Sequence, residues 1–237
     1  MTKNLLKRIL ISIILLLLLL VINFSNKYIF ALSIILVGTL IYVEANSIFI
    51  KIRRNNFLKK IYEEKFNIKF FFLNISTFLY IFFIFCYFSY EIHRTQSPIF
   101  FLYIISICFF TDIGGYFFGK IIGGKKLTKI SPNKTISGSV GSFIFSLIPY
   151  FIFKLIFLNS NIYSLSFTEN LLFNILISLF LSMFCQIGDL FISYFKRLSN
   201  LKDTRKILPG HGGLLDRIDG IIFAIPSFAL LAYLLNY

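Results

Sequence analysis

Seven apolar runs of membrane-crossing scale leave this chain few folds to choose from: Ile9–Phe24, Tyr28–Ile50, Phe70–Tyr90, Pro98–Phe118, Ser139–Leu158, Leu171–Phe195 and Leu214–Tyr237. A helix needs about 20 mostly apolar residues to cross the hydrocarbon, so seven crossings use about 140 positions. The 237 residues hold that many with loops to spare. Only 14% of residues are charged and 57% are apolar, against roughly 25% charged in a soluble domain. A water-soluble globule is thereby excluded, and the expected fold is all-α: a polytopic integral membrane protein of about seven transmembrane helices. The first run follows Lys3, Lys7 and Arg8. It reads as a retained helix, because it outruns an ordinary signal-peptide core and no A-x-A site follows.

Lys/Arg bias orients the spans. With the N-terminus in the cytoplasm, 21 of the 24 bases fall on inner segments, and only Lys27, Arg94 and Lys154 lie outside. Residues 1–97 read as a transmembrane scaffold. Its basic segment 51–69 is either a helix lying in the inner interface or a solvated positive-inside loop. Residues 98–237 read as the catalytic region of one integral domain. Cys86, Cys108 and Cys185 sit in apolar runs without metal-ligand spacing and read as small core or lipid-facing residues.

The chain has ten acids, and all five aspartates (Asp112, Asp189, Asp203, Asp216, Asp219) lie in its C-terminal part. An ionisable side chain within a membrane helix costs several kcal/mol and is a functional hypothesis by default. Asp112 closes the fourth span, with Gly115 and Gly119 on its side of the helix. Those glycines either leave its face open or pack helices. Asp189 and Ser193 share one face of the sixth span at i and i+4, with Gln186 at i−3. Asp216 and Asp219, at i and i+3, open the seventh span, where they hold a divalent cation or cap the helix. The assigned topology brings all five aspartates to the cytoplasmic interface. They mix there with the bases of the last two inner segments, the chemistry of metal-bridged phosphates. The loop from Gly123 to Ser139 contains Ser131, Lys134 and Thr135 before a helix start. Such a loop suits a phosphate, although the Walker order is absent. The segment Pro209-Gly210-His211-Gly212-Gly213 forces an irregular turn with exposed amides.

At these residues the sequence resembles the phosphatidate cytidylyltransferase family, also called CDP-diglyceride synthetases. The signature S-x-x-K-R-x4-K-D, a spacer and P-G-H-G-G-x-x-D-R-x-D runs from Ser193, Lys196, Arg197, Lys202 and Asp203 to Asp216, Arg217 and Asp219. The family's upstream elements recur as Asp112–Gly119, Ser131-Pro-Asn-Lys134-Thr135 and Gln186-Ile-Gly-Asp189-Leu. One departure stands out. The family loop continues K-T-W-E-G, where this chain has Lys134-Thr135-Ile136-Ser137-Gly138 and so lacks the aromatic and the acid. The N-terminal half also looks shorter than is common in the family.

The resemblance implies that CTP and phosphatidic acid give CDP-diacylglycerol and pyrophosphate, a step of phospholipid biosynthesis. Asp189, Asp216 and Asp219 would hold Mg²⁺, beside a second cation as the family suggests, with Asp112 assisting. Lys202, Arg217 and His211 join Asp189, Asp216 and Asp219 as catalytic candidates. Lys134, Ser131, Thr135, Ser193, Lys196, Arg197, Gly210, Gly212 and Gly213 are the substrate-binding candidates. The expected partners are the two substrates and membrane lipid, with no nucleic acid. The family also suggests a homodimer, which nothing in the residues requires. The location implied is a bacterial-type inner or plasma membrane with the site facing the cytoplasm. A CTP-dependent polyprenol or dolichol kinase would use similar ions but release CDP. A transporter would place its acids near the midplane, and the motif of CDP-alcohol phosphotransferases is missing.

Overall fold

A computed structural model describes residues 3–54, 63–128, 131–157, 170–201, 204 and 212–235. The helices are α1 (Lys3–Asn23), α2 (Lys27–Arg54), α3 (Glu63–Leu79), a π-helical stretch (Tyr80–Cys86), α4 (Tyr87–Thr95), α5 (Pro98–Ile121), α6 (Ile136–Phe145), α7 (Ile148–Phe157), α8 (Leu171–Leu198), α9 (Leu215–Ile218) and α10 (Ile221–Leu234). Among the described residues no sheet forms, and one isolated antiparallel bridge pairs Lys126 with Thr135.

Helix forms within each of the seven expected runs, the fifth being divided between α6 and α7 and the seventh between α9 and α10. Five stretches are long and apolar enough to cross a membrane: Lys27–Arg53, Ile68–Thr95, Pro98–Ile121, Ile136–Ile156 and Leu171–Leu198. Ile13–Asn23 and Ile221–Leu234 are shorter apolar helices. The protein is an all-α polytopic membrane protein. Large apolar side chains such as Val21, Leu32, Phe83 and Leu155 point outward, where lipid rather than water is their natural solvent. The basic segment 51–69 divides at its ends: Lys51 belongs to the close of α2 and Lys69 to α3, while 55–62 lie outside the described residues.

Local chemistry sets the helix ends. Ser97 caps α5 by accepting the Phe100 N–H at 3.0 Å, with Pro98 in the first turn, where its missing N–H costs nothing. The Asn170 side chain accepts the Leu172 N–H at 3.0 Å at the start of α8. At the other end of α8, Leu201 N–H reaches the Lys196 carbonyl and Asn200 N–H the Arg197 carbonyl. Asn200 takes a left-handed φ of 56° there, as a Schellman stop requires.

The chain divides into two compact units: Met1–Tyr90 with Tyr194–Ile218, and Glu91–Ser193 with Asp219–Tyr237. In the first, α2 packs against α1, α3, the π-helical stretch and α9. Phe30, Ile41, Ile48 and Phe49 are buried along it. Gly38 admits the Cys86 sulfur, which a Cβ would meet at 2.6 Å. In the second unit α5 and α6 pack most extensively. A Cβ on Gly115 would stand 2.7 Å from Ser142 Oγ, and one on Gly138 2.8 Å from the Gly115 carbonyl. Lipid gives helices no hydrophobic reason to associate, so close backbone approach and hydrogen bonds do that work. Gly114, Gly115 and Gly119 of α5 are therefore packing residues against α6 and its N-cap. All three cysteines are buried and unbridged.

A polar seam lies inside the second unit. Tyr103 and Ser178 hydroxyls meet at 2.7 Å, Thr111 donates to Ser182 at 3.0 Å, Ser142 donates to the Thr111 carbonyl, and Ser139 donates to Gln186 Oε1. On α8 these partners recur every fourth residue as Ser178, Ser182 and Gln186, with Asn174 one turn earlier. The seam leads along α8 toward Asp189.

Candidate active site

In the second unit, the loop after α5 folds back on itself before α6 begins. Leu127 N–H donates to the Lys134 carbonyl at 2.8 Å, Ile136 N–H to the Lys125 carbonyl at 3.0 Å, and Lys134 N–H to the Ser131 carbonyl at 3.0 Å. Gly123 and Gly124 supply the turn with φ of 62° and 99°, which side chains with a Cβ avoid. Thr135, a substrate-binding candidate, is the N-cap of α6: its Oγ accepts the Gly138 N–H at 3.0 Å. Ser137, standing where the family carries an acid, donates to the Gly123 carbonyl instead. The result presents Lys134, whose ammonium is ion-paired with Asp189 Oδ2. Ser193 Oγ donates to Asp189 Oδ1 at 3.2 Å, so the expected i, i+4 pairing on α8 is made. Gln186, on the same stripe, turns to Ser139 of α6.

Asp219 follows α9 and is buried at 7% exposure. Its Oδ1 accepts the Gly220 N–H at 2.9 Å. The Asp219 backbone lies against α8 at Gly188, where a Cβ would meet the Asp219 carbonyl at 2.5 Å. Gly188 precedes Asp189, so these two candidate carboxylates come from touching stretches of chain. Asp112 is exposed on α5.

The first unit holds the other carboxylate cluster. Lys196 Nζ donates to Asp216 Oδ1 at 2.9 Å. Asp216 Oδ2 takes the Thr204 N–H at 2.9 Å, the Gly213 N–H at 3.2 Å and a contact from Thr204 Oγ at 3.0 Å. Burial by itself would raise the Asp216 carboxyl, but the Thr204 N–H, the Lys196 ammonium and the Gly213 N–H together hold it below its ordinary value of 3.8. Arg197 and Arg217 are exposed. Lys202, Gly210 and His211 lie outside the described residues.

One residue of this cluster escaped the sequence reading. Glu44 of α2 is fully buried at 0% exposure. Its Oε1 accepts the Leu214 N–H at 3.0 Å, and its Oε2 accepts the Leu215 N–H at 2.8 Å and faces Thr204 Oγ at 3.0 Å. An acid inside an apolar run is the signal Glu44 leaves in the sequence, while its backbone partners leave none. Glu44 also accounts for Gly213: a Cβ there would overlap the Thr204 hydroxyl and stand 2.6 Å from Glu44 Oε2.

Among the described residues no three Asp, Glu, His or Cys side chains gather as a metal-ligand group. Mg²⁺ does not require one, since it usually binds through one or two carboxylates plus substrate phosphates. The oxygen donors of Asp189 and Asp219 fit that mode, and a preformed three-carboxylate cage does not describe them.

Residues 47–235 match the model of the Cytidylyltransferase family. The chain belongs to this family. Similar proteins include the phosphatidate cytidylyltransferases of Staphylococcus haemolyticus, 41% identical over 140 residues, and of Staphylococcus saprophyticus, 42% identical over 139. That of Staphylococcus aureus is 41% identical over 139 residues. Each match covers 58% of this chain and 50% of the relative, so the chain spans about half the length of the curated relatives it matches. Both lysine–carboxylate pairs of this cytidylyltransferase-family chain lie within the matched residues.

Proposed function

We propose that the chain is a phosphatidate cytidylyltransferase, transferring CMP from CTP to phosphatidic acid. The observation that supports this best is that carboxylates of the family elements stand paired with their lysines, Asp189 with Lys134 in the upstream elements and Asp216 with Lys196 in the signature. Such pairs match a magnesium triphosphate charge for charge: carboxylates toward the cation, ammonium groups toward the phosphates.

In this reading a phosphatidate oxygen attacks the α-phosphorus of CTP in line. A new phosphorus–oxygen bond forms, the bond to the β-phosphate oxygen breaks, and pyrophosphate leaves. No protein nucleophile is needed, so the residues act by positioning and charge neutralisation. Bound Mg²⁺ would neutralise the triphosphate and polarise the reacting phosphoryl group; Asp189, Asp216 and Asp219 are its proposed ligands, with Asp112 assisting. Lys134, Lys196, Arg197, Lys202 and Arg217 screen the phosphates, and His211 and the Gly210 to Gly213 turn offer further donors. The proposal places chemistry in 98–237 on the cytoplasmic side of a bacterial-type inner membrane, in a homodimer as the resemblance suggests.

The test is purified full-length protein in phosphatidate-containing vesicles with CTP labelled at the α- or γ-phosphorus and Mg²⁺. Label from the α-phosphorus alone should enter lipid, with pyrophosphate released. Label from the γ-phosphorus in lipid, or no labelled lipid with Mg²⁺ or Mn²⁺, overturns the reading.

A further inference from the structure

The geometry points to Glu44 as a positioning residue for the proposed reaction: a buried carboxylate on α2 that holds the Gly213–Asp216 turn and thereby aims Asp216. This rests on the cytidylyltransferase reading above. Glu44 lies three residues before the family match begins at residue 47.

Three neutral donors converge on its two oxygens, the Leu214 and Leu215 N–H groups and the Thr204 hydroxyl. The two backbone groups start α9, where helical N–H donors have no partner within the helix. Glu44 therefore caps α9 from a different helix, 170 residues away in sequence. The cap continues to Asp216 through one atom. Thr204 Oγ stands 3.0 Å from Glu44 Oε2 and 3.0 Å from Asp216 Oδ2, and a hydroxyl carries a single hydrogen. It donates to one carboxylate at a time, so a change at Glu44 alters what Asp216 receives. Gly213 ties the arrangement together: its N–H donates to Asp216, and its missing Cβ makes room for Glu44 and Thr204. Glu44 neither needs nor is assigned contact with substrate; its effect passes through the turn.

Glu44→Gln tests this in the full chain in lipid nanodiscs, because the amide keeps the shape and replaces one acceptor by a donor aimed at an N–H. Hydrogen exchange at Leu214 and Leu215 should quicken by about tenfold or more, the scale of one hydrogen bond to a charged group. The Mg²⁺ concentration giving half-maximal CDP-lipid formation should rise by about tenfold for the same reason. Loss of folded protein alone lowers turnover without moving that concentration. Unchanged exchange at the two amides, or reduced turnover at an unmoved Mg²⁺ requirement, overturns the assignment. Thr204→Val is the second variant should Glu44→Gln fail to fold. It breaks only the bridging contact and should raise the Mg²⁺ requirement about threefold, in line with a neutral hydrogen bond; no change counts against the inference. A wild-type protein that makes no CDP-lipid defeats the proposed reaction, while the exchange measurement still decides whether Glu44 holds the turn.

Discussion

The two lysine–carboxylate pairs look alike in sequence and differ in construction. Asp216 and Lys196 are 12% and 13% exposed, and the Asp216 oxygens face three further donor contacts from Thr204 and Gly213. Asp189 and Lys134 are about twice as open, at 25% and 27%, and the one other hydrogen bond described for Asp189 comes from Ser193. An acid surrounded by backbone donors is built into its loop, and releasing it would leave those donors unsatisfied. An acid held by a lysine and a hydroxyl can exchange partners at little cost, since partly solvated ion pairs are worth about 0–1 kcal/mol. The comparison makes Asp216 a fixed part of its loop and leaves Asp189 with Lys134 the pair that can change partners at less cost.

The sharpest way to break this contrast is to remove each acid. Asp216→Ala leaves a lysine and a turn without their acceptor and should lower stability by about 3–5 kcal/mol, read as a large drop in melting temperature. A melting curve like wild type would make Asp216 an ordinary surface acid. Asp189→Asn should do the reverse. On the proposed reaction, CDP-lipid formation by this variant should fall by about a hundredfold, roughly 3 kcal/mol of transition-state stabilisation, with melting little changed. An Asp189→Asn variant that melts early yet keeps turnover would erase the contrast.

Smaller changes sharpen the same comparison. Gly213→Ala forces a Cβ onto the Thr204 hydroxyl and toward Glu44, and overpacking of this kind costs about 1–3 kcal/mol. The glycines at 123 and 124 have open space for a Cβ and are strained only through their positive φ. Gly124→Ala should therefore cost less, about 1 kcal/mol; equal melting losses for the two alanines would show that the Gly213 contact is relieved by adjustment. The smallest effect concerns acid. Because the Asp216 carboxyl is held below its ordinary value of 3.8, it contributes stability that is present above that pH and lost as pH falls through the lowered folded value. Wild type should lose part of its stability on acidification below about pH 4, and Asp216→Asn should lose less there. Parallel acid curves would mean the carboxyl is unperturbed.

Much of the fold was legible because lipid imposes a length rule. Helix forms within each of the seven apolar runs, and the starts at Ser97-Pro98 and Asn170 carry ordinary capping residues. The i, i+4 spacing of Asp189 and Ser193 also pointed to the hydrogen bond that joins them. Three features were hidden for physical reasons. The glycines near Asp112 fit both an open face and a packed one, and only the partner helix α6 decides between them. Serines in a membrane helix can satisfy themselves on their own backbone, as Ser178 does by also donating to the Asn174 carbonyl at 2.9 Å. Their spacing alone therefore did not reveal the seam with Tyr103 and Thr111. Glu44 binds mainly backbone N–H groups, which leave no complementary residue type in the sequence to search for.

Glu44 also sets a clock on biosynthesis. Its donors, Thr204, Leu214 and Leu215, are made 160 to 171 residues after it. At typical rates of chain growth α2 must wait on the order of 10 s with this acid lacking those three donors. During that interval the nascent chain carries an unfinished polar site in its second helix, open to water, lipid headgroups or the insertion machinery. Closing the signature turn onto Glu44 then marks a late moment in the protein's assembly.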